Sequence, residues 1–584
     1  MTSASSSRAH ALRRGKACLV CRQLKIKCDG LRPLCGPCQN NPKDEPCQFQ
    51  EVMSRTRELE GTVARLQSRL HELEIGSLWM SGYSSPQMRT DFDSSPTRKY
   101  CIRIQSIQPH INGGPIAATG ETEAFSGDEP PLTMIPTLLD YFLPYATQFG
   151  FFLHIPNFRK AVLLPLPFGD PLRPSPALLT AVYLWGIHLS PSQTRFESES
   201  LFVKRAQKQL STEISEGRNP SHALHTIQAG ILLSYYMLRN RRFLEAEFHA
   251  NGAATLTMAY QLHKICSSHS DGPSFSPETT EVRRNLGPAV DEVEQGERIH
   301  CFWAVACLQS TCGIVIGARG SISLAILESS SNEIDTPWPA EFTDYENPSP
   351  FSQPESLSQA TIKCFLTRET TASASPNTLQ AQAMVLFHRA WRLSSRWSSS
   401  LQPDALVSFF SSVTWLDSRI QALWIVLPMA CRTNDPDKMH LRILTRAVLA
   451  GASIVLNRIS AANNNSEAQG VLGAAREIIV STATLMSKLS IASVVVSPLL
   501  GTLCALACEV VTDALREERQ FRHTFKANLG LDPPPSTEES TLLSDIHTVL
   551  QTMQFYANHD GSPLFQQQLA KAQQEYASIE QLNH

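Results

Sequence analysis

Residues 18–47 are CLVCRQLKIKCDGLRPLCGPCQNNPKDEPC and contain six of the fifteen cysteines of the chain. Their spacing is C-x2-C-x6-C-x6-C-x2-C-x8-C. Residues 1–16 have no apolar segment of the length that a secretory signal needs, so we expect these thiols to stay reduced. Two C-x2-C pairs separated by a basic segment are then typical of a zinc site and not of a disulfide framework.

The number of cysteines bears on how many zinc ions the site holds. A structural zinc ion takes four tetrahedral ligands, and six thiolates do not divide into fours. Six cysteines satisfy two zinc ions only if two of the thiolates bridge both metals. The alternative is one zinc ion on Cys18, Cys21, Cys35 and Cys38, with the other two cysteines as spare thiols.

A family resemblance favours two zinc ions. The run from Ala17 to Asp29, followed by Arg32-Pro33-Leu34-Cys35, resembles the fungal zinc binuclear cluster, or Zn(2)-Cys(6), family of transcription factors. The resemblance implies two zinc ions per chain, bridged by Cys18 and Cys35. One departure is Leu24, where members usually carry a second basic residue. The implied zinc ligands are Cys18, Cys21, Cys28, Cys35, Cys38 and Cys47.

The same resemblance implies DNA binding. Residues 1–47 carry nine Lys or Arg and three Asp or Glu, a net charge of +6, which favours a polyanionic partner. In the family the residue matched by Lys25 contacts a CGG triplet, and lysine reaches the guanine acceptors of the major groove. From the other basic residues we expect phosphate contacts that position the protein. The predicted DNA-binding residues are Arg22, Lys25, Lys27 and Lys16.

The cysteine region is expected to fold around its metal. It has too few large apolar side chains to bury a stable core, so zinc is expected to replace one. Two short helices are predicted, each beginning at a C-x2-C pair, with Lys25 and Lys27 in the first. Arg13, Arg14 and Lys16 suit nuclear import as well as DNA binding, so we expect a nuclear protein.

A heptad pattern follows the cysteines after a spacer of four residues, 48–51. Apolar residues at two positions of about three heptads predict a coiled coil. In a parallel pair, Arg55 faces Glu60 and Arg69 faces Glu74, so we expect a parallel homodimer. The alternative is an amphipathic helix that packs on its own chain. The predicted seam consists of Val52, Leu59, Val63, Leu66, Leu70 and Leu73.

The remaining sequence predicts a large helical domain. Apolar residues recur at three- and four-residue intervals from residue 135 onward, in predicted helical segments such as 135–152 and 474–519, and strand signals are scarce. The order of segments such as Phe151-Phe152-Leu153-His154-Ile155-Pro156 and Ile334-Asp335-Thr336-Pro337-Trp338-Pro339 resembles the middle region of fungal transcription factors. The longest apolar run, residues 491–511, is interrupted at Pro498 and Glu509, so it predicts a buried helix pair and no membrane helix.

These patterns predict a mainly α-helical protein with a small two-zinc six-cysteine cluster, a short parallel coiled coil and a large all-α regulatory domain. The end of the chain mixes acidic and apolar residues and suits either an activation segment or an ordinary surface helix. The expected organisation is a disordered basic tail at 1–16, the cluster at 17–49, the coiled coil at 50–75, a disordered linker at 76–131, the helical domain at 132–531 and a C-terminal tail at 532–584.

The expected function is sequence-specific, zinc-dependent regulation of RNA polymerase II transcription. The expected partners are double-stranded DNA, a second copy of the chain and the transcription machinery or co-regulators, with no membrane. None of the motifs of a nucleotide site, a serine hydrolase or a zinc protease occurs, so we expect no enzymatic activity. An alternative is a receptor whose helical domain binds a small molecule and thereby controls DNA binding.

Overall fold

The structure is a computed structural model, and it divides into two compact units, residues 1–113 and 114–584, which are described separately. The residues that it describes are 17–29, 31, 34–40, 47, 127–191, 195–216, 222–266, 286–317, 334–347, 360–367, 374–398, 402–427, 435–461, 465–488, 495–529 and 537–581. Among them the regular elements are helices, and no β-strand occurs.

The first unit contains two short helices, α1 (Leu19–Gln23) and α2 (Gly36–Asn40). Each begins one residue after the first cysteine of a C-x2-C pair, as predicted. The buried side chains described there are Val20 and three cysteines, Cys18, Cys21 and Cys35. Four larger apolar residues remain exposed, namely Leu24, Ile26, Leu31 and Leu34. Among the described residues of this unit, the cysteines therefore form most of the core.

The second unit is a helical domain whose first half runs from residue 127 to residue 347. A 3₁₀ helix (Leu143–Phe149) follows its first helix. The α-helices are α3 (Ile135–Phe142), α4 (Ile155–Val162), α5 (Pro176–Leu189), α6 (Arg195–Glu216), α7 (Ala223–Arg239), α8 (Phe243–Ala259), α9 (Glu292–Ile316) and α10 (Phe342–Glu346).

The second half of the domain contains longer helices on average. They are α11 (Thr361–Thr367), α12 (Pro376–Ser395), α13 (Pro403–Val426), α14 (Pro436–Ala461), α15 (Asn465–Lys488), α16 (Pro498–Leu529), α17 (Thr537–Asp560) and α18 (Pro563–Gln581). The two halves share one apolar core, because α9 packs against α7 and α8 on one side and against α12 and α16 on the other.

Local sequence signals explain where several of these helices begin. Ser175, Asp291 and Ser375 each precede a helix, and each side chain accepts a hydrogen bond from the backbone N–H three residues later. These bonds satisfy donors that the first helical turn leaves unpaired. Proline at the first position of α5 and of α12 adds to the signal, because its missing N–H is not needed there.

Two expected helices differ from those observed. The single helix expected from residue 135 to 152 ends at Phe142 and continues as the 3₁₀ helix, because Pro144 has no N–H to donate to a helical hydrogen bond. The helical segment expected at residues 474–519 is two helices, and the second begins at Pro498, where the break of a helix pair was predicted.

The C-terminal residues belong to the helical core. Leu542, Ile546, Tyr556 and Phe565 of α17 and α18 are almost fully buried in the cluster formed with the other helices. The boundary expected at residue 531 therefore does not coincide with the end of the core. An activation segment here would have to act as part of a packed helix pair.

In the part of the chain that the structure describes, three helices are apolar and long enough to cross a membrane by length and composition alone, namely Glu292–Ile316, Asp437–Ile459 and Pro498–Asn528. In the structure most of each apolar stretch is buried inside the helical domain. Their hydrophobicity is thus explained by packing against neighbouring helices.

Candidate metal centre and cavity of the helical domain

The cysteine sulfurs form two groups of four that share Cys18 and Cys35. Within each group all Sγ atoms lie within 4.8 Å of one another. The shared sulfurs are 3.6 Å apart. A zinc ion with Zn–S bonds of about 2.3 Å has tetrahedral S···S edges of about 3.8 Å, so each group fits one ion. The groups are Cys18, Cys21, Cys28 and Cys35, and Cys18, Cys35, Cys38 and Cys47.

The positions of Cys28 and Cys47 distinguish the two-zinc interpretation of the site from the single-zinc interpretation. The sulfurs of Cys21 and Cys38 are also 3.8 Å apart, so the four ligands of a single-zinc site lie close together as well. A single site, however, gives Cys28 and Cys47 no role, whereas each of them completes one four-sulfur group. The geometry favours two zinc ions with Cys18 and Cys35 as shared ligands, the pair that the family resemblance implies.

The packed thiols need the charge of a metal in order to ionise. Burial raises the pKa of the Cys21 thiol to about 12, and its hydrogen bond with Cys18 adds to that. Burial raises the pKa of Cys35 as well. At Cys18 burial also acts to raise the pKa, but the N–H of Cys21, 3.4 Å from the sulfur, helps to hold it below its usual value. Because the thiolate is the zinc ligand, bound zinc would supply the positive charge that favours the deprotonated form of these cysteines.

Asp29 holds the two halves of the cluster together, a role that its sequence position did not reveal. Its two carboxylate oxygens accept the N–H of Gly36 at 3.0 and 2.9 Å. Oδ1 also accepts the N–H of Leu31 at 3.3 Å. A Cβ atom at Gly36 would overlap the carboxylate, so the glycine after Cys35 is required for this contact. The carboxylate lies at the start of α2, where unpaired N–H groups favour an anion.

Lys25 lies just beyond α1 and not within it, which corrects the expected helical placement of Lys25 and Lys27. The N–H of Ile26 donates to the carbonyl of Cys21 at 3.1 Å, the long bond of a Schellman motif that ends a helix. Lys25 takes the left-handed position of that motif with φ +53°. Helix α1 ends there, and the side chains of Lys25 and Lys27 are both exposed.

Of the other predicted DNA-binding and dimer residues, the structure describes only the backbone of Arg22. The backbone of Arg22 lies in α1. Lys16 lies outside the described residues, as does the whole coiled coil at 50–75 with its seam residues Val52, Leu59, Val63, Leu66, Leu70 and Leu73. The tail at 1–16 and most of the linker at 76–131 also lie outside them.

The helical domain contains a cavity of about 350 Å³, bounded by the 3₁₀ helix, α7, α9, α12 and the first turns of α14. This volume is at the small end of the roughly 300–1,000 Å³ that small-molecule sites occupy. The aromatic residues that line it are Phe151, Phe152, Tyr235, His300, Trp303 and Phe342. The charged residues that line it are Glu341, Asp435, Asp437 and Lys438.

The titratable groups of the cavity do not form a nucleophile and base. Burial raises the pKa of the Cys307 thiol to about 12, so it stays protonated and is not an activated nucleophile. Burial lowers the pKa of His440 to about 4, so this ring is neutral. Neither of its nitrogens has a hydrogen-bond partner among the described residues. His300 is held by the carbonyl of Ala340, 2.8 Å from Nε2.

Outside the cluster, no described cysteine belongs to a further group with metal-ligand geometry. Cys301, Cys312, Cys504 and Cys508 are fully buried in the helical core. They act there as small apolar residues, as the sequence predicted.

Comparisons with known proteins agree with both parts of the chain. The model of the fungal Zn(2)-Cys(6) binuclear cluster domain matches residues 16–56. The model of the fungal specific transcription factor domain matches residues 139–382. A notoamide biosynthesis cluster transcriptional coactivator of Aspergillus versicolor is 36% identical over 120 residues, 18% of this chain. The chain thus spans 23% of the length of that relative. No solved structure matches.

Proposed function

The chain belongs to the fungal transcription factors that combine a zinc binuclear cluster with a fungal specific transcription factor domain, and we propose that it recognises CGG-like triplets as a homodimer in the nucleus. It is a zinc-dependent, DNA-binding regulator of transcription. The observation that carries the proposal is the pair of four-sulfur groups sharing Cys18 and Cys35, with Lys25 and Lys27 exposed beside them.

Zinc has a structural role in this proposal. Two ions, each held by four of the six cysteines, would take the place of an apolar core, which the described residues of the first unit do not form. Two bound zinc ions would offset four of the six thiolate charges and would hold α1 and α2 at a defined separation, while Asp29 links the end of the first half to the start of α2. The chemistry required of the metal is therefore charge compensation and crosslinking, and the site needs no open coordination position.

Lys25 is proposed to contact guanine, and the other basic residues to contact phosphate. The left-handed turn places Lys25 at the end of α1, one residue past Leu24. Its ammonium donates hydrogen bonds, and guanine offers two acceptors in the major groove. Arg22, Lys27 and Lys16 are proposed to bind the sugar-phosphate backbone, which positions the protein without selecting sequence.

A homodimer would increase the specificity of this short recognition element. One triplet offers few base contacts, and two clusters linked by a coiled coil double them. The heptad pattern begins at Val52, after the four-residue spacer that follows Cys47, so the two clusters of a dimer would be held near the same DNA site. The helical domain is proposed to bind co-regulators or the transcription machinery.

The test is binding of the full chain to duplexes that carry two CGG triplets in each relative orientation, with scrambled duplexes as the control. We expect specific binding that zinc chelation abolishes and that weakens steeply with salt. Sedimentation with one preferred duplex should give two chains per DNA. Equal affinity for all duplexes would contradict triplet recognition, and one chain per duplex would contradict the dimer.

A second candidate function, a ligand-responsive receptor, is supported by the cavity of the helical domain. The cavity lies between packed helices, and it is lined by His440, a buried polar group without a partner among the described residues. The receptor function predicts that a cavity-filling Ala381→Leu change leaves the DNA affinity of the purified chain unaltered but alters the output of a reporter gene. Unchanged reporter output would contradict it.

A further inference from the structure

The walls of the cavity contain several aromatic rings. Trp303 of α9 is stacked on Trp338, with ring centroids 4.3 Å apart. Phe342 is stacked on His300, with centroids 4.7 Å apart. Because each ring is fixed by its stacking partner, these walls offer preformed aromatic faces. Such faces bind flat apolar molecules and also attract cations.

The mouth of the cavity carries excess negative charge. Three carboxylates, Glu341, Asp435 and Asp437, and one ammonium, Lys438, line it, which gives a net charge of −2. The ammonium is already paired, since Lys438 Nζ lies 2.8 Å from Glu341 Oε2. Asp435 caps α14 by accepting the N–H of Asp437 at 3.0 Å. The charge of Lys438 is thus already balanced by that of Glu341. The remaining negative charge of Asp435 and Asp437 favours a cation over an anion in the cavity.

His440 is a polar residue that lines the same cavity. It lies three residues after Asp437 on α14, and it is 4% exposed. Neither ring nitrogen has a hydrogen-bond partner among the described residues. A neutral imidazole has one donor and one acceptor, and leaving both unpaired in a buried site is costly. A hydroxyl group on a bound molecule would satisfy one of them.

We propose that this cavity binds a small aromatic molecule that carries a protonated amine near Asp437 and a hydroxyl or ring N–H near His440. The aromatic rings of the walls contact the body of the ligand. The proposal rests on the receptor function proposed above and specifies the chemical class of its ligand. It depends on cavity shape, charge and hydrogen-bonding capacity together, and each of these can be tested separately.

The experiment uses the full zinc-loaded chain and three probes that share one phenol ring but differ in charge. They are tyramine, 4-ethylphenol and 3-(4-hydroxyphenyl)propionate. Binding is followed by thermal unfolding and by the total tryptophan fluorescence of the chain, to which Trp303 of the cavity wall contributes. We expect tyramine to bind about tenfold more tightly than 4-ethylphenol, the effect of one favourable charge interaction of about 1.4 kcal/mol. The propionate is expected not to bind.

Two variants test whether the probe binds in this cavity. Asp437→Asn should remove the preference for tyramine over 4-ethylphenol, and His440→Phe should weaken both. Asp404→Asn, an acidic residue at the start of α13 outside the cavity, is the matched control and should change neither. If His440→Phe fails to fold, the three-probe comparison on the unaltered chain still tests whether the site prefers a protonated amine.

No binding by any probe, or equal binding by all three, would overturn the proposal. Tyramine binding that Asp437→Asn leaves unchanged would also overturn it. DNA affinity is measured in the same preparation. Specific DNA binding without probe binding refutes the cavity proposal alone, whereas probe binding without triplet recognition refutes the DNA proposal alone.

Discussion

Arg239 and Asp560 form a buried ion pair across the helical domain, although they are 321 positions apart. Nη1 of Arg239 lies 3.0 Å from a carboxylate oxygen of Asp560, and Nη2 donates to its backbone carbonyl at 3.2 Å. The guanidinium also lies 5.5 Å from the ring centroid of Phe149 and 5.8 Å from that of Trp185. The pair therefore ties the end of α7 to the C-terminal helices.

Asp560→Ala should lower the free energy of unfolding by about 3–5 kcal/mol, because the charge of Arg239 would stay buried without its partner. Urea unfolding followed by helical circular dichroism measures this. Lys571→Ala is the control, since its ammonium is exposed and lies 3.5 Å from Glu575. We expect that change to cost at most about 1 kcal/mol. Equal losses would mean that the buried pair has no special role.

The zinc content of cysteine variants should distinguish the cysteines that bind both zinc ions from those that bind one. The unaltered chain is expected to hold two zinc ions, and Cys18→Ser to lose most of both, because its sulfur belongs to both four-sulfur groups. Cys47→Ser affects one group and should keep one ion. Elemental analysis of the full chain measures this, with Cys364→Ser in the helical domain as the control. If Cys47→Ser left the zinc content unchanged, the single-zinc alternative would be favoured.

Lys25→Gly offers a test of base contact that should preserve the fold. Residue 25 has φ +53°, a conformation that costs a non-glycine residue about 1–2 kcal/mol, so glycine relieves the backbone while removing the ammonium. We expect unchanged zinc content and a loss of about 1–3 kcal/mol in discrimination between CGG and scrambled duplexes.

Lys27→Ala is the charge-matched control for Lys25→Gly. It should weaken binding to both duplexes alike, because a phosphate contact carries no sequence information. Fluorescence anisotropy at fixed salt measures both variants. Equal losses on specific and scrambled DNA for Lys25→Gly would assign Lys25 to the phosphate backbone.

Glu297 should make the domain less stable as the pH rises. Burial raises its pKa to about 7, although its carboxylate accepts the N–H of His154 at 2.8 Å. The folded chain therefore binds more protons than the unfolded chain between the ordinary carboxyl pKa and about 7, and stability falls as pH rises through that window.

Glu297→Gln removes this charge and keeps an acceptor for His154. At pH 8 it should unfold at higher temperature than the unaltered chain, with a gain of at most ~3 kcal/mol, and near pH 5 the difference should be small. Glu292→Gln, exposed on the same helix, is the control. A variant that is less stable than the unaltered chain at pH 8 would show that the carboxylate is favourable where it lies.

Much of the cluster was predictable because its chemistry depends on local spacing. The C-x2-C pairs, in which two residues separate the cysteines, mark where α1 and α2 begin. In the helical domain, the capping serines mark where α5 and α12 begin. Lys25 was misplaced, because the Schellman bond from Ile26 to Cys21 ends the helix one turn earlier than residue propensity indicates. Asp29 was missed as a structural residue, since its partner Gly36 is close only in the folded chain.

The sequence by itself determined the metal, the number of candidate ligands and the helical class of the large domain. Ligand type, spacing and apolar periodicity are properties of neighbouring residues, so they can be inferred without coordinates. The family resemblance already implied Cys18 and Cys35 as bridging ligands, and the tertiary structure adds that the sulfurs of both residues lie in both four-sulfur groups. Only the tertiary structure decided that residues 537–581 complete the helical core and that α9, α12 and α14 enclose a cavity. These features depend on contacts between residues far apart in the chain, which sequence periodicity does not encode.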